Sequence, residues 1–269
     1  MRDLMLFENQ LPFFVLCTLY DLIEVPDQHS RLSHLLFKFF SVLYPGKGYK
    51  ELGTVDPLKH LLDFIHCSWL PPPNVSGSGG GRKDRKLDKM VRFINSAKRL
   101  EEANVKFEKS EEEMMFNVGF KEGVMVMAPL TIEDRTESFL RSLIAYEQYF
   151  QHNFVTDYVK FLDCIIDSSK DVEILSRRGI IENWLGDENE VAEMVNKLSE
   201  SVSGPGKDFV YANMFEDVNK HCGRRWNRWM ANLRKNYFYN PWTIISVLVA
   251  LVLLLLTFTQ TVFTILHVV

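Results

Sequence analysis

From Pro241 to Leu266 the chain runs for 26 residues without an Asp, Glu, Lys or Arg. No other feature restricts its fold as strongly. A helix needs about 20 apolar residues to cross a bilayer core of about 30 Å. Trp242 to Leu266 supplies 25, enough to span with some tilt. Asn240 suits an N-cap, and Pro241 suits the first helical position, where its missing N–H is no loss. Trp242 is placed for an interfacial aromatic belt. A buried core helix would rarely run so long without a charge. The sequence therefore predicts one transmembrane helix over residues 241–266, with the lipid bilayer as its partner.

Charge sets the expected orientation. The last acid is Asp217, and beyond it come six bases: Lys220, Arg224, Arg225, Arg228, Arg234 and Lys235. Six bases before the span and only His267 after it put the body in the cytoplasm by the positive-inside rule. Asp3 and Glu8 interrupt the early apolar run, so no signal peptide is read. Insertion as a tail anchor, in the plasma membrane or an endomembrane, is expected. Residues 208–240 predict a basic amphipathic juxtamembrane helix, with Phe215, Val218, Cys222, Trp226, Trp229 and Leu233 on one face. Either that face packs on the body, or the helix lies on anionic lipid headgroups. In the second case Arg224, Arg225, Trp226, Arg228, Trp229 and Trp242 form the membrane interface.

The body reads as mainly helical. Phe13, Leu16, Tyr20 and Ile23 mark one helix face, and Leu32, Leu35, Leu36, Phe39, Phe40 and Leu43 a second. Leu58, Leu61, Leu62 and Ile65 mark a third, ended by Pro71 to Pro73. Residues 74–86 read as a flexible Gly/Ser loop, and 88–103 as a helix. Val105–Glu108, Met114–Phe120 and Val124–Met127 predict short strands, with Glu122-Gly123 turning between the last two. Thr131 with Asp134 reads as a capping box. The following helices carry Phe139, Leu143, Tyr146 and Phe150, then Val155, Tyr158, Leu162 and Ile165. Gly179 suits a helix C-terminus. Asp187 and Glu190 open a helix bearing Val191, Met194, Val195, Leu198 and Val202, and Gly204-Pro205-Gly206 ends it. The expected architecture is a helical body, residues 1–207, with a small two- or three-stranded antiparallel β element and one C-terminal transmembrane helix.

Composition narrows the function classes. A net charge of −4, a pI near 6.0 and 46% hydrophobic residues exclude wholesale disorder and a generally basic nucleic-acid binder. Cys17, Cys67, Cys164 and Cys222 are far apart and form no C-x-x-C, as expected of buried free thiols in a reduced compartment. His66-Cys67 and His221-Cys222 are helical neighbours that diverge by about 100°, so no metal site is expected. The Gly run before Lys83 lacks the Ser or Thr and the preceding strand of a phosphate loop. No nucleophile elbow and no H-E-x-x-H occurs, and no cofactor is implied. Asn74 begins a glycosylation sequon. Glu8-Asn9-Gln10 interrupts apolar sequence. It is either a polar site in an apolar cleft or a turn capping the flanking elements, and the second reading is preferred.

Five segments together resemble the plant domain-of-unknown-function 247 family, also called the UPF0481 proteins. They are DLMLFENQLPFFVLCTLYDLI (Asp3–Ile23), SAKRLEEANVKFE (Ser96–Glu108), FKEGVMVMAPLTIEDRTESFLRSLIAYEQ (Phe120–Gln148), GIIENWLGDENEVAEMVNKL (Gly179–Leu198) and the stretch Cys222–Phe263. The resemblance implies a plant protein with a mostly helical body and one C-terminal span. Some relatives are discussed in pollen–stigma recognition, or self-incompatibility, in grasses. It brings no established catalytic residues. It also implies a helical segment before the E-N-Q-[LI]-P-F-F motif, so a start seven residues before Glu8 predicts an incomplete core or a partial copy. The expected function is that of a membrane-anchored interaction, recognition or signalling component with unknown protein partners. The alternatives are a membrane-tethered enzyme of unrecognised type and a non-functional truncated copy.

Overall fold

The computed structural model describes residues 2–23, 32–41, 58–69, 93–111, 115–150, 153–200, 202, 209–223 and 241–268. A short helix α1 (Arg2–Met5) and a 3-10 turn (Phe7–Asn9) lead into α2 (Phe13–Asp21), followed by α3 (Leu32–Phe40), α4 (Leu61–Trp69) and α5 (Ala97–Glu102). Strands β1 (Lys106–Lys109), β2 (Val118–Lys121), β3 (Val124–Met127) and β4 (Leu130–Ile132) come next. The remainder is α6 (Thr136–Phe150), α7 (Phe154–Ile165), α8 (Ser169–Arg177), β5 (Ile181–Asn183), α9 (Glu188–Glu200), α10 (Ala212–Gly223) and α11 (Pro241–Val268).

The protein is mainly helical with one small mixed sheet and a separate parallel strand pair, which corrects the expected antiparallel element. β2 and β3 form the predicted hairpin, and Glu122 (φ 52°) and Gly123 (φ 86°) supply the two positive-φ residues of its tight turn. β3 returns between β2 and β1, so it runs parallel to β1, pairing Phe107 with Met125. A second, parallel pair joins β4 to β5, with Leu130 opposite Ile181. Its crossover runs through α6, α7 and α8, as a parallel pair requires. Thr131 therefore lies in a strand and heads no helix. The helix predicted over 88–103 is helical only from Ala97 among its described residues, and Phe93–Ser96 are non-helical.

One core joins these elements. It includes Phe64 and Ile65 of α4, Phe107 and Met125 of the sheet, Leu143 of α6, Phe161 of α7, Leu175 of α8 and Val191 of α9. On α10, Phe215 and Val218 are buried in the same core. The four cysteines are half-buried thiols.

The C-terminal run forms α11, but among the described residues no helix is long and apolar enough to cross a membrane. The expected single-pass C-terminal anchor over 241–266, and the orientation and localisation derived from it, are not supported. Arg224, Arg225, Trp226, Arg228 and Trp229, expected at the membrane interface, lie outside the described residues, as does the side chain of Trp242. The 74–86 loop lies outside them as well.

Candidate functional site

Among the described residues, a cluster of titratable side chains lies where α4, α6 and α7 meet. In α4 the i, i+3 and i+4 spacing places Asp63, His66 and Cys67 together on the face toward α6. From α6 come Tyr146 and Glu147. His66 Nε2 lies 2.8 Å from Glu147 Oε1, with the two side chains only 1% and 0% exposed. Oε1 also accepts the Val155 N–H at 2.9 Å, and Oε2 accepts the Thr156 N–H at 2.8 Å and its hydroxyl at 2.7 Å. Val155 and Thr156 belong to the first turn of α7, whose N–H groups have no partners within the helix. Glu147 thus caps α7 from the preceding helix, with its carboxylate at the positive end of the helix dipole. Burial pushes its pKa up, but bonds from His66, the Thr156 hydroxyl and the Val155 N–H together hold it below the ordinary 4.5.

Asp63 anchors the other half of the cluster. Its Oδ1 accepts the Tyr146 hydroxyl at 2.6 Å and the Cys67 thiol at 3.5 Å, and its Oδ2 accepts the Lys59 N–H at 2.8 Å. Burial, reinforced by Asp63, pushes the Cys67 thiol up to about 12 and the Tyr146 phenol well above its usual range. Both remain protonated donors at neutral pH. A thiol held protonated is a poor nucleophile.

The other buried acids behave in the same way. Asp171 closes a capping box with Ser168 at the start of α8. Its Oδ1 also accepts the Lys98 N–H in the first turn of α5 at 2.8 Å. Asp157 accepts the Val210 N–H at 2.8 Å, just ahead of α10. Four buried carboxylates therefore each satisfy a backbone N–H of another segment or of a helix start. Together they lock elements to one another. Among the described residues no group of three His, Cys, Asp or Glu converges to hold a metal ion.

Glu8-Asn9-Gln10 joins this framework as a capping turn, but Glu8 and Asn9 are exposed, and the helix start that Gln10 caps is that of α4 and not of the adjoining α2. Gln10 Oε1 accepts the Leu62 N–H at the start of α4, 2.9 Å away, and Gln10 Nε2 donates to the Leu4 and Leu6 carbonyls. Asn9 Nδ2 donates to the Asp3 carbonyl. Sequence reasoning passed over Asp63, His66, Tyr146 and Glu147 as site residues. The partners His66 and Glu147 lie 81 positions apart, and no local motif marks them. By contrast, the spacing of Ser168 and Asp171 carried a readable capping-box signal.

The chain matches, over residues 1–256, the family described as plant protein of unknown function, DUF247. It is 32% identical over 277 residues to the UPF0481 protein At3g47200 of Arabidopsis thaliana, covering 96% of this chain and 58% of that relative. A second Arabidopsis thaliana UPF0481 protein, At3g02645, is 32% identical over 171 residues, covering 62% of this chain and 32% of the relative. The chain thus spans about three fifths and one third of the lengths of these two proteins. No solved structure matches it. With five matching stretches in sequence order from Asp3 to Phe263 and a family match across residues 1–256, the chain belongs to the plant DUF247 family.

Proposed function

We propose that this plant protein works by binding another protein through the outward face of α2, and not by catalysis. A mismatch within α2 carries the reading. Its sequence, FFVLCTLYD, is apolar at six of nine positions, all but Thr18, Tyr20 and Asp21, a composition richer in apolar residues than one buried stripe needs. Yet only Phe13 is buried, and Leu16 and Cys17 are half-buried against the core. Phe14 is 70% exposed and Leu22 75%, with Leu11, Leu19 and Ile23 also exposed. Phe14, Thr18 and Leu22 repeat every fourth residue, so they form one stripe, with Leu19 and Ile23 beside it. Leu35 and Phe39 of α3 add further exposed apolar surface. A helix face with several large apolar side chains left exposed is a candidate interaction site. The buried acids described above are engaged in capping, which is a structural use of them.

The test is a photocrosslinking side chain placed at position 14 of the full chain in plant cells, with position 173 on α8 as an exposed reference. A discrete protein adduct is expected from position 14, abolished by Leu22→Glu with Ile23→Glu. Crosslinking at 14 no greater than at 173 would overturn the proposal.

A further inference from the structure

One polar contact in this framework would be reversed by a single proton. His60 immediately precedes α4, where an N-cap side chain satisfies an orphan N–H. Its Nδ1 lies 3.1 Å from the Asp63 backbone nitrogen. A backbone N–H can only donate, so Nδ1 presents a lone pair and the ring is the neutral Nε2–H tautomer. Around this cap the N-terminal segment is fastened down. Gln10 takes the Leu62 N–H. The Phe13 N–H donates to the Lys59 carbonyl at 2.8 Å, and Pro12 bridges His60 in antiparallel fashion. The half-buried imidazole is flanked by Phe7, Tyr146 and Phe150, with ring centroids 6.4, 5.4 and 6.0 Å away.

We propose that His60 is a proton-operated clasp: neutral, it caps α4 and holds the Leu4–Phe13 segment against it; protonated, it releases both. Protonation turns Nδ1 into a donor facing the Asp63 N–H donor. It also places positive charge at the positive end of α4. The charged and titratable groups around the ring act in both directions. Asp63 favours the imidazolium, but its oxygens are engaged by the Lys59 N–H, Tyr146 and Cys67. Lys59 opposes it, with its ammonium 3.6 Å from the Phe150 ring centroid. On α6 the facing titratable group is Tyr146, which stays protonated, with the Glu147–His66 pair beyond it. On the N-terminal segment the facing side chain is Phe7. Burial is the largest influence, and it holds His60 below its ordinary 6.5. A depressed folded-state pKa means that the stabilisation is fully present above about pH 6.5 and is lost as pH falls through the folded-state value. The clasp stands independently of the docking role of α2.

The experiment is hydrogen exchange on the full chain between pH 7.5 and 5, corrected for intrinsic rates. It reads the amides of Phe13, Leu62 and Asp63, alongside NMR titration of the His60 ring. Protection at these three amides is expected to fall at least tenfold in step with the His60 titration. His60→Asn, which accepts the Asp63 N–H but does not titrate, should keep its protection at pH 5. The amides of Val155 and Thr156, held by Glu147, should stay protected. Unchanged protection while His60 titrates would overturn the proposal. So would loss of protection in His60→Asn parallel to the wild type, or simultaneous release at Val155 and Thr156. If His60→Asn is unprotected at every pH, the wild-type comparison decides alone.

Discussion

Glu147→Gln should be among the most damaging single substitutions in the chain. The carboxylate accepts four hydrogen bonds, from His66, the Val155 and Thr156 N–H groups and the Thr156 hydroxyl. Glutamine keeps one acceptor oxygen and replaces the other with an NH2 group. Whichever way the amide turns, a donor meets at least one donor that cannot rotate away. His66 Nε2 also loses its carboxylate acceptor in a site of 0–1% exposure. A buried hydrogen bond to a charged group contributes about 1.5–3 kcal/mol, so losing two costs about 3–6 kcal/mol, against a whole-domain stability of about 5–15 kcal/mol. In a chain of this size that is a fall in Tm of roughly 6–24 °C. Glu182→Gln is the matched reference, because its pairing with Lys109 is long, 4.0 Å, and half-exposed, and such pairs contribute about 0–1 kcal/mol. Urea unfolding followed by circular dichroism measures both. The pH dependence adds a second signature. Glu147 has a lowered folded-state pKa, so its contribution is present above about pH 4.5 and is lost as pH falls through the folded value. The variant should lack that acid limb. A loss in Glu147→Gln no larger than in Glu182→Gln would refute the capping argument.

Two further outcomes follow from local geometry. Gly123→Ala should destabilise by about 1–2 kcal/mol, because φ is +86° and the new Cβ would lie 2.7 Å from His221 Cε1, whereas Gly119→Ala, with open space around it, should be near neutral in the same melt. Cys67, pushed up to about 12, should resist iodoacetamide at pH 8 in the folded chain and react in urea; rapid labelling without denaturant would show that its bond to Asp63 does not hold it.

Local periodicity was the reliable signal in the sequence. Val155, Tyr158, Leu162 and Ile165 are all buried along α7, and Val191, Met194, Val195 and Leu198 along α9. Glu122-Gly123 marked the hairpin because a tight turn needs positive φ at both positions. Pairings across long stretches of chain were not legible. β4 and β5 are three residues each, and Leu130 meets Ile181 only after three intervening helices. Thr131 and Asp134 have capping-box spacing, yet the helix starts at Thr136, whose hydroxyl accepts the Glu133 N–H. Apolar alternation at Leu130 and Ile132, both buried, was the competing signal, and it prevailed. Parallel pairing of β1 with β3 was hidden for a similar reason. The hairpin is local, whereas the position of β1 in the sheet depends on which edge of the hairpin it meets.

The candidate site was illegible for a deeper reason. Motif reading looks for acids grouped by spacing, as catalysis and metal binding require. In this fold the buried acids are dispersed, each beside the start of some other helix or loop: Asp63 with the Lys59 N–H, Glu147 with α7, Asp157 with Val210, Asp171 with α5 and α8. An unpaired buried charge is costly, and a helix N-terminus offers both free donors and favourable potential. A small mixed sheet supplies little of the framework here, so helix starts buried against neighbours must find acceptors elsewhere. Side chains from adjacent elements provide them, and each carboxylate then fixes the relative placement of two segments. Such a device favours a rigid body that presents surface over one that rearranges around a substrate. The exposed apolar stripe of α2 sits at the end of the segment that Gln10 and His60 fasten to that body. A partner binding there would meet a preordered helix, and would have little ordering entropy to overcome.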